Sequence, residues 1–386
     1  MRHYGQLGAA ERQALFHREP ADFDLESEVR TLGVALGATL YSPATRPRLV
    51  ADIRKQTARG VVSMVLCLED SISDAEVAGG EANLVRQLRR LHRESAPEGL
   101  PLLFVRVRRP DQITDLTDRL GPAVRLLAGF VLPKFTAACG YDYLEAVVEA
   151  EAGCERRLLA MPVLESPELM HLETRATRLT DAARLLEKYR ERVPALRIGV
   201  TDFCSVYGLR RTPDMTVYDV HPVASVIADV VNVFGRADGT GYTISGPVWE
   251  YFRTQPRMFQ PQLRASPFRG RGDLRERLIE HDMDGLLQEI ELDRANGLQG
   301  KTCIHPSHVA AVHALSVVSH EEYCDAVDIL GAGPNGGGVL RSSYTNKMNE
   351  VKPHRSWAAR TLLRAEVFGV AKEGVDYVDL LEAGIR

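Results

Sequence analysis

Eight short apolar runs, each followed by a longer amphipathic segment, constrain this chain more than any other feature. The runs are GATLYSPA (37–44), VVSMVLCLED (61–70), LLFVRVR (102–108), GFVLPKF (129–135), RLLAMPVLES (157–166), LRIGVTDF (196–203), GYTISGPVW (241–249) and GKTCIHP (300–306). Between them, segments such as RPRLVADIRKQTARG (46–60), EANLVRQLRRLHRES (81–95) and LETRATRLTDAARLLEKYRERV (172–193) repeat their apolar residues at helical period, with charges in between. Runs apolar on both faces predict parallel strands covered by helices, and eight such units are the count of a (β/α)8 TIM barrel. A chain of 386 residues, 45% of them hydrophobic, is long enough to bury a core of that size. The rhythm breaks at an insertion over 250–280, between the seventh and eighth strands, and the barrel domain is expected to cover 1–310. Residues 311–386 read as a C-terminal helical appendage, with helices near 320–330 and 355–371 separated by the loop GAGPNGGGV (331–339).

Charge and composition narrow the class of partner. A net charge of −4 over 48 basic and 52 acidic residues creates no field that would recruit nucleic acid or an anionic membrane. No apolar run approaches the roughly 20 residues of a membrane span. The six Cys contain no CxxC pair, and the start MRHYGQLGAAERQ has no apolar signal core, so a cytoplasmic protein with reduced thiols is expected. Its partners are then small molecules. NGLQGKT (296–302) is not a phosphate loop, because Ala295 stands where that loop requires its first Gly; it reads as a helix C-terminus entering strand eight. The His residues show no HxxxH or HExxH spacing, which argues against zinc. The arginines at 264, 269, 271, 275 and 277 could grip a phosphate or a CoA moiety, but on composition they read first as a solvated loop.

Barrel enzymes place their chemistry at the C-terminal ends of the strands, and here those ends are rich in titratable groups. They carry Glu69 and Asp70, Arg106, Lys134, Glu165, Asp202 and His305. Glu165 and Asp202 lie on adjacent strands, so their carboxylates can converge on one point. Two hard oxygen ligands with room left for water and substrate suit Mg²⁺ or Mn²⁺. Blander roles stand beside these: Arg106 could pair with Glu69 or Asp70, Lys134 could extend its stem along the rim, and His305 could hydrogen-bond the rim or serve the site.

The order VLCLEDS (65–71), VRVR (105–108), LPKF (132–135), MPVLES (161–166), IGVTDF (198–203) and GKTCIHPSHV (300–309) resembles the HpcH/HpaI aldolase and citrate lyase β-subunit superfamily. NKMNEVKPHRSWAARTLLRAEVFGV (346–370) is similar to the C-terminal signature of its longer C–C bond lyase branch, often associated with tellurite-resistance gene clusters. The resemblance implies that Glu165 and Asp202 bind Mg²⁺, that Arg106 holds a substrate carboxylate, and that Glu69 and Asp70 share the site. Lys134 joins them as a candidate catalytic group and His305 as a candidate substrate contact. In the citrate and malyl lyase branch a GKMxD motif sends its Asp into a neighbouring subunit's site; here Glu350 of NKMNE takes that position. A homo-oligomer, a trimer or a pair of trimers, follows as an expectation, with the apolar positions of WAARTLLRAEVFGV (357–370) packing on a neighbour rather than on the chain's own barrel. The activity implied is a Mg²⁺-dependent carbon–carbon lyase or aldolase. Its substrate would be a small oxo or hydroxy acid, with CoA thioesters among the candidates, cleaved through an enolate whose charge the ion offsets. The proton carrier stays open among Glu350, a metal-bound water, and Glu69 or Asp70. The alternative is a barrel that binds metal or ligand without turnover and serves as an assembly subunit.

Overall fold

A computed structural model describes residues 1–94, 99–154, 156–252, 283–333 and 336–385. The expected insertion from residue 253 onward, its arginines, and the centre of the GAGPNGGGV loop lie outside the described residues.

The eight apolar runs form the eight parallel strands of one barrel: β1 (Ala38–Pro43), β2 (Ser63–Cys67), β3 (Leu102–Arg106), β4 (Leu127–Leu132), β5 (Leu159–Leu164), β6 (Ala195–Ile198), β7 (Thr243–Ser245) and β8 (Lys301–Cys303). Each pairs with its sequence neighbour, and β8 pairs with β1. The ring closes where Gly246 bridges Lys301 and the Gln299 N–H donates to the Ile244 carbonyl at 2.8 Å. Every residue of β2, β3, β4 and β5 is buried, as expected of strands with side chains on one face filling the barrel and on the other meeting helices.

Helices α1 (Leu49–Thr57), α2 (Val77–Glu94), α3 (Asp111–Leu120), α4 (Ala137–Cys154), α5 (Leu172–Glu187), α6 (His221–Phe234), α7 (Met283–Ala295) and α8 (Ser307–Ser316) form the outer layer. In α2 the buried stripe Leu84, Leu88 and Leu91 follows helical spacing, while Arg86, Arg89 and Arg90 face solvent. Asn83 and Gln87 on the buried side reach the carbonyls of Ala44 and Pro47, each at 2.7 Å, and so fix the loop after β1. Lys301 points outward from β8 and is fully buried against α7, with Nζ 2.8 Å from Glu289 and 2.6 Å from Asp293. A buried cation needs such partners, and here they pin α7 to the last strand, which follows it in the chain.

The expected boundary at 310/311 falls inside α8. Beyond it lie α9 (His320–Gly331), α10 (Val351–Phe368) and α11 (Tyr377–Ile385). The expectation that residues 357–370 need a neighbour to cover them is corrected: Ala358, Ala365, Val367 and Phe368 are buried by this chain alone. Helix α9 covers Ala358 through Ala326 and Ile329, Ala365 packs on Val318 and Val370, and the N-terminal arm closes the far end, its strand Phe16–Arg18 pairing antiparallel with Val370–Ala371. His3 of that arm stacks on Phe368 at 4.1 Å between ring centroids and meets His313 of α8 edge-on at 4.5 Å. The two ends of the chain thus clasp beneath Gly37, at the entry to β1.

Candidate active site

The rim residues named from sequence come together around one guanidinium. Arg106 ends β3 and is 9% exposed. Its Nη2 lies 2.6 Å from Glu69 Oε2, 3.1 Å from Asp70 Oδ2 and 2.9 Å from Glu165 Oε1. Its Nε is buried without a partner among the described residues. Lys134, two residues past β4, puts Nζ 3.0 Å from Glu69 Oε1 and donates its backbone N–H to Glu165 Oε1 at 2.9 Å. That second bond requires an unusual backbone. Lys134 sits in the left-handed region at φ +48°, a conformation that costs a non-glycine residue about 1–2 kcal/mol and persists where the surroundings enforce it.

Asp202 lies in the first turn of the short helix Val200–Val206, which starts directly after β6. Carboxylate oxygens of Asp70, Glu165 and Asp202 all lie within 4.8 Å of one another. The sequence pointed to Glu165 and Asp202 as candidate ligands; in the structure an Asp70 oxygen joins theirs, which makes Asp70 a third candidate. Asp70 is the exposed member, Glu165 is buried and Asp202 is intermediate, so the group runs from the surface of the rim into its interior.

The electrostatics suit a cation site. Burial pushes Glu165 up to about 7, against the downward pull of Arg106, and nearby Asp202 adds to the rise. Burial also raises Asp202 and Glu69. The four acids Glu69, Asp70, Glu165 and Asp202, held together at this cost against the two cations Arg106 and Lys134, are suited to a divalent ion that would offset the remaining charge. Three carboxylate oxygens within 4.8 Å of one another form a hard-donor set of the Mg²⁺ or Mn²⁺ type.

Two residues that position the acids carry no sign of it in the motifs. Arg108 donates from Nε to the Leu68 carbonyl at 2.7 Å and from Nη2 to the carbonyls of Glu69 at 3.1 Å and Ile72 at 3.0 Å, so it clamps the loop that bears Glu69 and Asp70. Gly199 leaves room for Glu165: a Cβ there would stand 2.4 Å from both the Cβ and Oε2 of Glu165. Gly199→Ala is therefore expected to displace the Glu165 carboxylate, lowering kcat/KM at least about tenfold and stability by about 1–3 kcal/mol. Urea unfolding beside a Mn²⁺ titration checks this, and an Ala variant with native metal affinity would show that the Glu165 position is not set from this side.

The remaining candidates stand apart. His305 follows β8, stacks on Phe252 at 4.5 Å and shares a 2.7 Å hydrogen bond with the Ser307 hydroxyl. Glu350 is exposed at the end of a short hairpin (Val339–Arg341 with Met348–Glu350), and no hydrogen bond or ion pair joins it to the cluster among the described residues. Its motif has a structural task instead. Asn349 Nδ2 and the Ser342 hydroxyl reach Asp325 Oδ1 of α9 at 2.8 and 2.7 Å, and Lys347 Nζ lies 2.7 Å from Asp325 Oδ2, which fastens the hairpin to the helix.

A family profile described as C-C bond lyase of the TIM-barrel fold matches residues 30–370. No curated protein matches the chain by sequence. Among solved structures, a citrate lyase from Burkholderia xenovorans LB400 is similar with a TM-score of 0.60 at 17% identity, covering 87% of this chain and 93% of that one. CitE from Mycobacterium tuberculosis, in complex with magnesium, acetoacetate and coenzyme A, gives 0.52 at 20% identity, covering 86% and 99%. A malate synthase from Haloferax volcanii gives 0.51 at 14% identity, covering 76% and 75%. Identities this low speak for the fold.

Proposed function

Because the chain belongs to the C–C bond lyase family of the TIM-barrel fold, and is thus a carbon–carbon lyase, we propose that it cleaves or forms the C–C bond of a small oxo or hydroxy carboxylic acid with Mg²⁺ held by Asp70, Glu165 and Asp202. The observation that carries this reading is the convergence of those three carboxylates beside the Arg106 guanidinium. The acetoacetate, coenzyme A and magnesium of the CitE complex agree with an acidic substrate and keep CoA thioesters in the candidate set.

Bound there, the ion would supply positive charge to offset the negative charge that gathers on oxygen as the C–C bond breaks. The chain's own residues supply orientation and proton transfer. Arg106 spends Nη2 on the acids, and the rest of its planar fork remains to meet a substrate carboxylate. Glu69, raised by burial and hydrogen-bonded to Lys134 Nζ, forms with that lysine a pair able to take the hydroxyl proton and return it to carbon. A screen of the purified protein against short 2-oxo acids, 3-hydroxy acids and their CoA thioesters, with and without Mg²⁺, tests the assignment. Turnover that persists undiminished after chelation would overturn it.

Metal binding should depend on pH. The folded pKa of Glu165 is about 7 and its ordinary value 4.5, so between these limits the folded apoprotein holds a proton that the unfolded chain has released. Apoprotein stability from this group is accordingly highest below the ordinary value of 4.5 and falls as pH rises toward about 7, by on the order of 3 kcal/mol. A divalent ion competes with that proton, so Mn²⁺ affinity should rise from pH 5.5 to 7.5 with close to one proton released at the acid end. Calorimetry in two buffers of different ionisation enthalpy reads the proton count; a count of zero at pH 6 would remove Glu165 as the titrating ligand.

Glu350, which makes no hydrogen bond or ion pair to its own chain's acids among the described residues, is proposed to enter the site of a neighbouring subunit in a homo-oligomer. Mixing Glu350→Ala chains with Asp202→Asn chains is expected to restore part of the activity that each lacks alone. No recovery after verified subunit exchange would assign Glu350 to the hairpin only.

A further inference from the structure

On the face of the barrel opposite the acids, a groove of about 1080 Å³ opens where β5, β6, β7 and β8 begin, and α10 forms its far wall. Seven arginines line it against five glutamates, and the arrangement leaves most of the positive charge without a carboxylate. Arg157 donates to the carbonyls of Leu25, Ser27 and Glu191, and Arg190 to those of Thr240 and Gly241. A carbonyl satisfies a guanidinium's hydrogen bond but does not neutralise it. Arg30 makes no hydrogen bond or ion pair with a described residue, yet it lies near enough to Arg360 to help lower that group's pKa, after burial. Arg360 in turn donates to the Gly235 carbonyl, which sets it beside Arg236.

Helix α10 presents Trp357, Arg360 and Arg364 to the groove at i, i+3 and i+7, a single stripe of one helix face. Trp357 is 38% exposed, an uncommon position for so large an apolar ring. Arg364 is 8% exposed; one of its nitrogens pairs with Glu322 at 2.9 Å and its Nε is buried without a partner. The Tyr242 hydroxyl in the same lining is likewise buried and unpartnered.

We propose that this groove is a second, non-catalytic binding site for a phosphate-bearing ligand with an aromatic ring, the nucleotide class. Planar guanidiniums with spare donors at Arg30 and Arg360 match phosphate oxygens in pairs, and the exposed indole of Trp357 on the same stripe offers a face for a base. A simple anion would use the arginines and leave the ring uncovered. The site is independent of the acids, since its walls are built from strand entries rather than strand ends.

The test is calorimetric titration of the full chain with ATP and with inorganic pyrophosphate, both without divalent ions, alongside tryptophan fluorescence. Trp249 is 1% exposed, so a signal change on ligand addition reports Trp357. ATP is expected to bind at least about tenfold more tightly than pyrophosphate, the scale one stacked base contributes. The double variant Arg30→Ala/Arg360→Ala should lose both ligands, Trp357→Leu should weaken ATP alone, and Arg106→Lys on the opposite face should change neither. Equal affinity for ATP and pyrophosphate would mean a simple anion site and overturn the nucleotide class. ATP binding that survives the double variant, or that vanishes with Arg106→Lys, would place the ligand elsewhere. Absence of binding together with a groove variant that dissociates an oligomer would assign the groove to a second copy of the chain.

Discussion

Glu165→Gln and Asp202→Asn should each weaken Mn²⁺ or Mg²⁺ binding by more than about 100-fold, since loss of an outer-shell partner alone costs about 10–100-fold. Activity should fall with it. Asp70→Asn should cost less, because Asp70 is the exposed member of the three and water can take its place. The fold should survive, for Arg106 keeps Glu69 at 2.6 Å and Asp70 at 3.1 Å when Glu165 is neutralised. Indeed Glu165→Gln should make the apoprotein more stable at pH 8, where the native carboxylate is ionised against the pressure of burial, and should bring no such gain at pH 5, where it is protonated. Calorimetric titration with Mn²⁺ and urea unfolding at both pH values measure the two effects. Unchanged affinity in both the Glu165 and Asp202 variants would remove the metal site.

Most of the barrel was legible because its signal is local. Each strand is a short apolar run that any single window reveals, and all eight, VVSMVLCLED and RLLAMPVLES among them, appear as strands in the expected order. The acids were legible for the same reason: a charge closing an apolar run is conspicuous, and the fold brings strand ends together without further instruction. What the sequence hid depends on contacts between distant segments. Nothing local distinguishes Gly199 from other strand-end glycines until the Glu165 carboxylate is found against it. The left-handed Lys134 is exceptional only in that its N–H must reach a strand later in the chain. The clasp between His3 and Phe368 joins the two ends of the chain, so amphipathicity could show that α10 needed cover but not where the cover came from. Glu350 shows the converse: a motif position read by resemblance lies on a hairpin whose neighbours Lys347 and Asn349 serve Asp325.

Arg106 separates stability from catalysis most sharply. Its Nη2 faces three carboxylates, two of them on the buried residues Glu69 and Glu165. Truncation to Ala leaves those acids without their shared cation, a change that costs on the order of 3–5 kcal/mol when the charges stay buried. Protonation can relieve it. Loss of the guanidinium raises the folded pKa values of Glu69 and Glu165 still further above their unfolded values, so the deficit should be largest above pH 7 and shrink as pH falls toward 5. Urea unfolding of Arg106→Ala at pH 5.5 and pH 8 reads that difference. Arg106→Lys isolates the other role, because an ammonium keeps one charge among the acids and forfeits the second arm of the fork. If that arm holds the substrate carboxylate, the Lys variant should fold and bind Mn²⁺ yet lose roughly 2–4 kcal/mol of transition-state stabilisation in kcat/KM, the scale of a charge-assisted contact in a desolvated site. A Lys variant with near-native kcat/KM would confine Arg106 to holding the acids together and leave the substrate carboxylate to another group, with Lys134 the nearest cation to the cluster, 3.0 Å from Glu69.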